Sequence, residues 1–159
     1  MKSEKLKVKR TIKYSLLFTA CCLLFWGCAL PRIVVLDDPL SPEEHLNLGV
    51  SYERKGELDN ALKEYQEASG KLPAAYLFIG NIYFQKKEYD EAETYYKKAI
   101  RKDLHNADAY NNLAWLYYTK NEKLDEAEKL ALKAMELNPA KRDIYQDTLD
   151  KVRGLKISQ

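Results

Sequence analysis

The residues able to do bond chemistry are few in this chain of 159 residues, and they are poorly placed for it. His45 and His105 are its two candidate imidazole bases or ligands. One stands near an expected helix start and the other in an expected loop, so both read as structural or solvated. Cys21, Cys22 and Cys28 fall inside or at the edge of an apolar N-terminal run, leaving the rest of the chain without a disulfide or a cysteine-based metal site. The sequence holds no glycine-rich phosphate loop, no histidine-rich metal spacing and no nucleophile with a recognisable partner. Its carboxylates stand among lysines at helical spacing and read as solvated faces. The expectation is a chain that is not an enzyme, with no metal, no cofactor and no small-molecule substrate. What remains is non-covalent recognition by amides and aromatic rings.

Charge narrows the partners further. The chain carries 26 Lys and Arg against 24 Asp and Glu, but Lys2, Lys5, Lys7, Lys9, Arg10 and Lys13 all precede the apolar run, opposed there by Glu4. From residue 28 onward, 20 basic side chains therefore face 23 acidic ones. A slightly acidic body of mixed sign has no electrostatic footprint for nucleic acid.

Residues 2–13 are basic, residues 14–27 carry no charge, and Cys28 follows Gly27, which is the three-part layout of a secretory signal. Residues 1–27 are expected to be a signal peptide. An uncleaved anchor is the alternative, because extending the apolar run to Leu30 brings it near the lower limit for crossing ~30 Å of hydrocarbon. Either way the basic flank stays inside, which places the body outside the cytoplasm. Residues 28–41 contain two prolines, a β-branched run and two aspartates, and read as an extended tether. Ile33, Val34, Val35 and Leu36 are expected to cover the open end of the first helix pair, with partner contact as the alternative.

The elements that must position any recognition surface follow from internal self-similarity. Gly49, Gly80 and Ala114 form one column and Tyr52, Tyr83 and Tyr117 a second. Ala61, Ala92 and Ala127 form a third, and Ala68, Ala99 and Ala134 a fourth. Tyr65 and Tyr96 continue as Ala131, and Pro73 and Pro139 close the first and third units, with Leu104 in the second. Each unit reads as two antiparallel helices that approach where side chains are small, Gly49 facing the Ala61 and Ala68 stripe with Tyr52 and Tyr65 on the flanks. Ser41-Pro42-Glu43-Glu44 is a capping box with proline at the first helical position. Asp59, Asp90 and Asp125 stand where second helices begin. After Pro139, Ile144, Tyr145, Thr148, Leu149 and Val152 give an amphipathic capping helix from Arg142 to about Lys151.

These columns resemble the tetratricopeptide repeat, whose signature sets an aromatic residue, Leu-Gly and Tyr on the first helix, then Ala, an aromatic, Ala and a closing Pro around the second. The resemblance implies an all-α solenoid of helical hairpins, divided as 42–73, 74–106 and 107–139, with a capping helix and tail over 140–159. The spacing departs from the family's repeat of about 34 residues. Gly49 to Gly80 is shorter, and the turn at Asn121 is one residue longer than its counterpart after Tyr83. Both changes should be absorbed in loops.

In this family the first helices line the concave face. The residue after each core column lies about 100° round the helix, towards that groove. The rule selects Leu46, Val50 and Glu53, then Leu77, Asn81 and Phe84, then Asn111, Trp115 and Tyr118, with Asn112 beside them. Asparagines could hold the backbone of an extended peptide while Trp115 and Tyr118 supply area. Asn81, Asn111 and Trp115 are expected to face outward; cover by the capping helix or tether is the alternative for Trp115, Phe84 and Tyr118. The Lys, Asn and Arg clamp with which chaperone-binding members hold a terminal carboxylate is missing, its places being Leu46, Val50, Phe78, Asp108 and Asn112.

Phe25-Trp26-Gly27-Cys28 resembles the lipobox of bacterial lipoproteins. This implies that Cys28 is acylated and becomes the new N-terminus; the family prefers Leu and a small residue where Phe25 and Trp26 stand. Ala29 in place of an acidic residue implies the outer membrane. Taken together, the resemblances imply a non-catalytic adaptor or scaffold tethered to the bacterial cell envelope, facing the periplasm, with a protein or peptide partner in the groove. Leu36 to Gly49 also resembles the junction before the repeats of some bacterial cysteine-peptidase-like lipoproteins. The alternative that follows is an accessory module of such a peptidase or of a secretion system.

Overall fold

A computed structural model describes residues 39–158 of the chain. The expected signal or anchor, Cys28 and the apolar residues Ile33 to Leu36 lie outside the described residues. Seven α-helices follow one another among the described residues: α1 (Pro42–Arg54), α2 (Leu58–Ser69), α3 (Ala75–Gln85), α4 (Tyr89–Lys102), α5 (Ala107–Lys120), α6 (Leu124–Leu137) and α7 (Arg142–Ile157). Helices pair as α1 with α2, α3 with α4 and α5 with α6, successive pairs stack, and α7 packs on the last.

Local sequence explains where the helices begin. Ser41 Oγ accepts from the Glu44 amide at 3.2 Å while the Ser41 amide donates to Glu44 Oε2 at 2.7 Å, so two backbone donors at the start of α1 are satisfied. The Asn106 side chain caps α5 by accepting from the Ala109 amide at 3.0 Å. The turns inside the pairs need left-handed backbone. Gly56 takes it at φ 78° in the first pair and Lys87 at φ 62° in the second. The longer third turn uses two such residues, Asn121 at φ 53° and Lys123 at φ 50°. The extra residue is absorbed there, and α6 still presents Ala127, Ala131 and Ala134 inward.

Packing within each pair differs from the expectation in one respect. The alanine stripes are fully buried, but the glycines face aromatic rings. A Cβ on Gly49 would collide with the ring of Tyr65, and one on Gly80 would stand 2.6 Å from Tyr96 Cδ1. In the third pair the glycine is Ala114 and the aromatic is Ala131, both fully buried. Ring and missing Cβ change together, because the space between the helices holds one or the other.

The capping helix is longer than its amphipathic pattern suggested. It buries Tyr145, Thr148, Leu149 and Val152, while Ile144, expected on the same stripe, is 61% exposed. Each buried apolar side chain of this size contributes about 1.5–3 kcal/mol relative to exposure. Three ion pairs repeat at the joints between units: Lys86 Nζ to Asp59 Oδ1 at 3.0 Å, Lys120 Nζ to Asp90 Oδ1 at 2.9 Å, and Lys156 Nζ to Asp125 Oδ1 at 2.7 Å. The aspartates are largely solvated, so the pairs mark register more than they add stability. Their regularity places α7 where the first helix of a fourth unit would stand.

Candidate functional site

First helices supply most of a cleft of about 280 Å³. Its walls are Glu53 from α1, Asn81, Phe84 and Gln85 from α3, Tyr96 from α4, and Asn112 and Trp115 from α5. Hydrogen bonds fix the polar side chains before any ligand arrives. Asn81 Oδ1 accepts from Tyr96 Oη at 3.0 Å and from Asn112 Nδ2 at 2.9 Å, tying three helices to one atom. With its oxygen occupied twice, Asn81 keeps Nδ2 as the group it can offer. Glu53 accepts from Tyr65 Oη at 2.7 Å and from Gln85 Nε2 at 2.5 Å.

Burial pushes the phenols of Tyr65 and Tyr96 well above the usual tyrosine range; the bond to Glu53 adds to this for Tyr65, and the Glu53 charge for Tyr96. Both therefore remain donors at neutral pH and lock the carboxylate and the Asn81 carbonyl in place.

The aromatic side is layered. The Trp115 and Tyr118 rings lie 5.0 Å apart between centroids, and Lys151 Nζ of α7 sits 4.9 Å from the Trp115 centroid. Phe84 leans on Tyr89 at 5.6 Å. Trp115 is thus partly covered from the capping helix while still lining the cleft.

Five of the residues selected from sequence meet here: Glu53, Asn81, Phe84, Asn112 and Trp115. Tyr118 is half-buried beside Trp115. Leu46 and Val50 pack against the core shared by the first pair and α3, and Leu77 against the core of the later units. Asn111 does not face outward: it is 8% exposed, and its Oδ1 is buried without a hydrogen-bond partner. Leu46, Leu77 and Asn111 share one column, and that column turns towards the core. Gln85 and Tyr96 were not selected. Gln85 lies one residue past the Phe84 column, and Tyr96 sits on a second helix, assigned to hairpin packing alone.

His45 is buried with Nδ1 2.7 Å from Glu64 Oε2, and His105 is exposed. Among the described residues no group of three or more His, Cys, Asp or Glu could hold a metal ion, and no helix is long and apolar enough to cross a membrane.

Two family models, each described as tetratricopeptide repeat, match residues 29–76 and 71–140 and so cover all three helix pairs. The chain belongs to the tetratricopeptide repeat family. Among curated proteins, this tetratricopeptide repeat chain is 35% identical over 101 residues to the human protein O-mannosyl-transferase TMTC2, which aligns 60% of this chain with 12% of that protein. It is 35% identical over 106 residues to protein bimA of Emericella nidulans, aligning 65% of this chain with 13% of that one. The chain spans about an eighth of the length of these relatives.

Among solved structures, the first repeat domain of Spaghetti (RPAP3) bound to the HSP90 peptide SRMEEVD superposes with a TM-score of 0.67 at 21% identity, covering 77% of this chain and 97% of that one. The Yersinia enterocolitica type III secretion chaperone SycD, in complex with a peptide of the translocator YopD, gives 0.65 at 20% identity, covering 73% and 92%. At these identities the likeness concerns the fold.

Proposed function

We propose that this tetratricopeptide repeat protein is a non-catalytic adaptor that holds an extended peptide or protein segment in the cleft between its first helices, and that it is tethered to a bacterial cell envelope. The observation that carries the reading is the cleft itself. Its amides are held in advance by Tyr96 and Asn81, and its aromatic side chains offer area at small entropic cost. Structural neighbours that hold peptides, the SRMEEVD and YopD complexes, support recognition of this kind. The tether rests on the N-terminal layout of the sequence, with Cys28 as the acylated residue and the outer membrane as the destination.

The test is contact. A photo-crosslinking benzophenone side chain in place of Gln85, exposed at the cleft, should trap a partner in detergent-solubilised envelopes. The same group in place of the exposed Lys63 on α2 should not. Equal adducts from both positions, or adducts from position 63 alone, would move the binding surface away from the first helices.

A further inference from the structure

We infer that the segment held in the cleft presents a basic side chain, arginine or lysine, to Glu53. This rests on the peptide-holding reading above and adds the chemistry of the occupant. Glu53 is half-buried, and its two hydrogen-bond donors, the Tyr65 hydroxyl and the Gln85 amide, are both neutral. No Lys or Arg among the described residues forms an ion pair with it, and the other six wall residues are uncharged.

Glu93 is the informative contrast. It too accepts from a tyrosine, Tyr117 at 2.9 Å, yet Lys97 and Lys123 stand at 2.8 and 2.7 Å from the same oxygen. The Glu93 carboxylate is thus flanked by two lysines, whereas the one on the cleft wall has no lysine or arginine paired with it among the described residues.

The neighbouring acceptors point the same way. Gln85 Nε2 donates to Glu53 and Asn112 Nδ2 to Asn81, which leaves Gln85 Oε1 and Asn112 Oδ1 as acceptors on the walls that Glu53 also lines. Those oxygens suit a group with several donors, such as a guanidinium or an ammonium. The Trp115 ring already carries a cation, Lys151 Nζ, itself paired with Asp147 at 2.6 Å, so the ring tolerates charge over its face. A ligand anchored by carboxylates would find no cationic side chain among the seven lining residues, and the ammonium over the Trp115 ring, that of Lys151, is already paired with Asp147.

The experiment uses the full chain in detergent with Trp26→Phe, which makes Trp115 the sole tryptophan. A bead library of random, N-acetylated, C-amidated heptapeptides is the probe. Enriched peptides that change Trp115 emission should carry a basic residue at a recurring position. Replacing that residue by its neutral counterpart, citrulline for arginine or acetyl-lysine for lysine, should weaken binding by roughly two- to fivefold. Glu53→Gln, checked by its melting curve, should bind charged and neutral versions alike; if that variant fails to fold, the peptide comparison decides alone. Peptides that change Trp115 emission but carry no basic residue, or that tolerate neutralisation, overturn the inference and leave the cleft reading standing. If no enriched peptide changes Trp115 emission, the cleft reading falls and the inference with it.

Discussion

Gly80 lies flat against the ring of Tyr96: a Cβ at position 80 would stand 2.6 Å from both Cδ1 and Cε1 of that ring. The ring cannot easily move, because it is 2% exposed and its hydroxyl is bonded to Asn81. Gly80→Ala should therefore destabilise by about 1–3 kcal/mol through overpacking. Adding Tyr96→Ala recreates the Ala114 and Ala131 pairing of the third unit, so the double variant should be more stable than the summed single losses by ~0.5 kcal/mol or more. Urea unfolding of the four proteins measures this, and strict additivity would show that the two residues do not share one space.

Asn111 buries an amide oxygen with no partner among the described residues, and a buried unsatisfied acceptor costs about 1–3 kcal/mol. Asn111→Leu, close in volume, should raise the melting temperature. Asn111→Ala should lower it, by leaving a cavity instead. A drop with leucine would mean that the amide makes an interaction worth keeping, such as a bond to ordered water.

Glu93 makes stability sensitive to acid. Burial pushes its carboxyl up, but hydrogen bonds from Lys123, Lys97 and Tyr117 outweigh burial and bring it down to about 2 from an ordinary 4.5. A carboxyl depressed in the folded state stabilises while ionised. That contribution is complete above pH 4.5 and is lost as pH falls from 4.5 through about 2. Glu93→Gln should melt lower than the parent at neutral pH, and the gap should close across that window. Glu44, Asp125 and Glu128 are also held low, but they titrate in both proteins and cancel in the difference. A gap that is constant with pH would remove Glu93 from the account.

Cys28→Ser tests the proposed anchor, since acylation requires the thiol. The variant should leave the membrane fraction or accumulate as an unprocessed precursor. Unchanged mass by intact-protein spectrometry together with unchanged membrane retention would exclude lipidation at that residue.

Local signals in the sequence proved readable where a few neighbouring residues decide the outcome. The Ser41 to Glu44 box and the alanine columns translated directly into a helix start and buried stripes. The glycine columns were visible too, but not what they faced, because a ring on the partner helix competes with the alanines for the same gap. The cleft was half legible. A fixed rotation from the core columns reached Asn81, Phe84 and Trp115, but carried Leu46, Leu77 and Asn111 to the seam with the core. Tyr96 escaped because its ring serves the hairpin while its hydroxyl serves the cleft, and a pattern of residue types assigns one role to each position.

The joint ion pairs have a consequence for how such a chain can change length. Asp59 with Lys86, Asp90 with Lys120 and Asp125 with Lys156 are one coupling used three times, and the last use joins a complete hairpin to a lone helix. The joint to α7 therefore uses the same connector as the joints between the pairs before it. A duplicated copy of residues 107–141 inserted ahead of Arg142 would meet a matching Asp on one side and a matching Lys on the other. Such arrays can grow or shrink by whole hairpins, adding or removing one panel of groove at a time, while every joint keeps the same fitting.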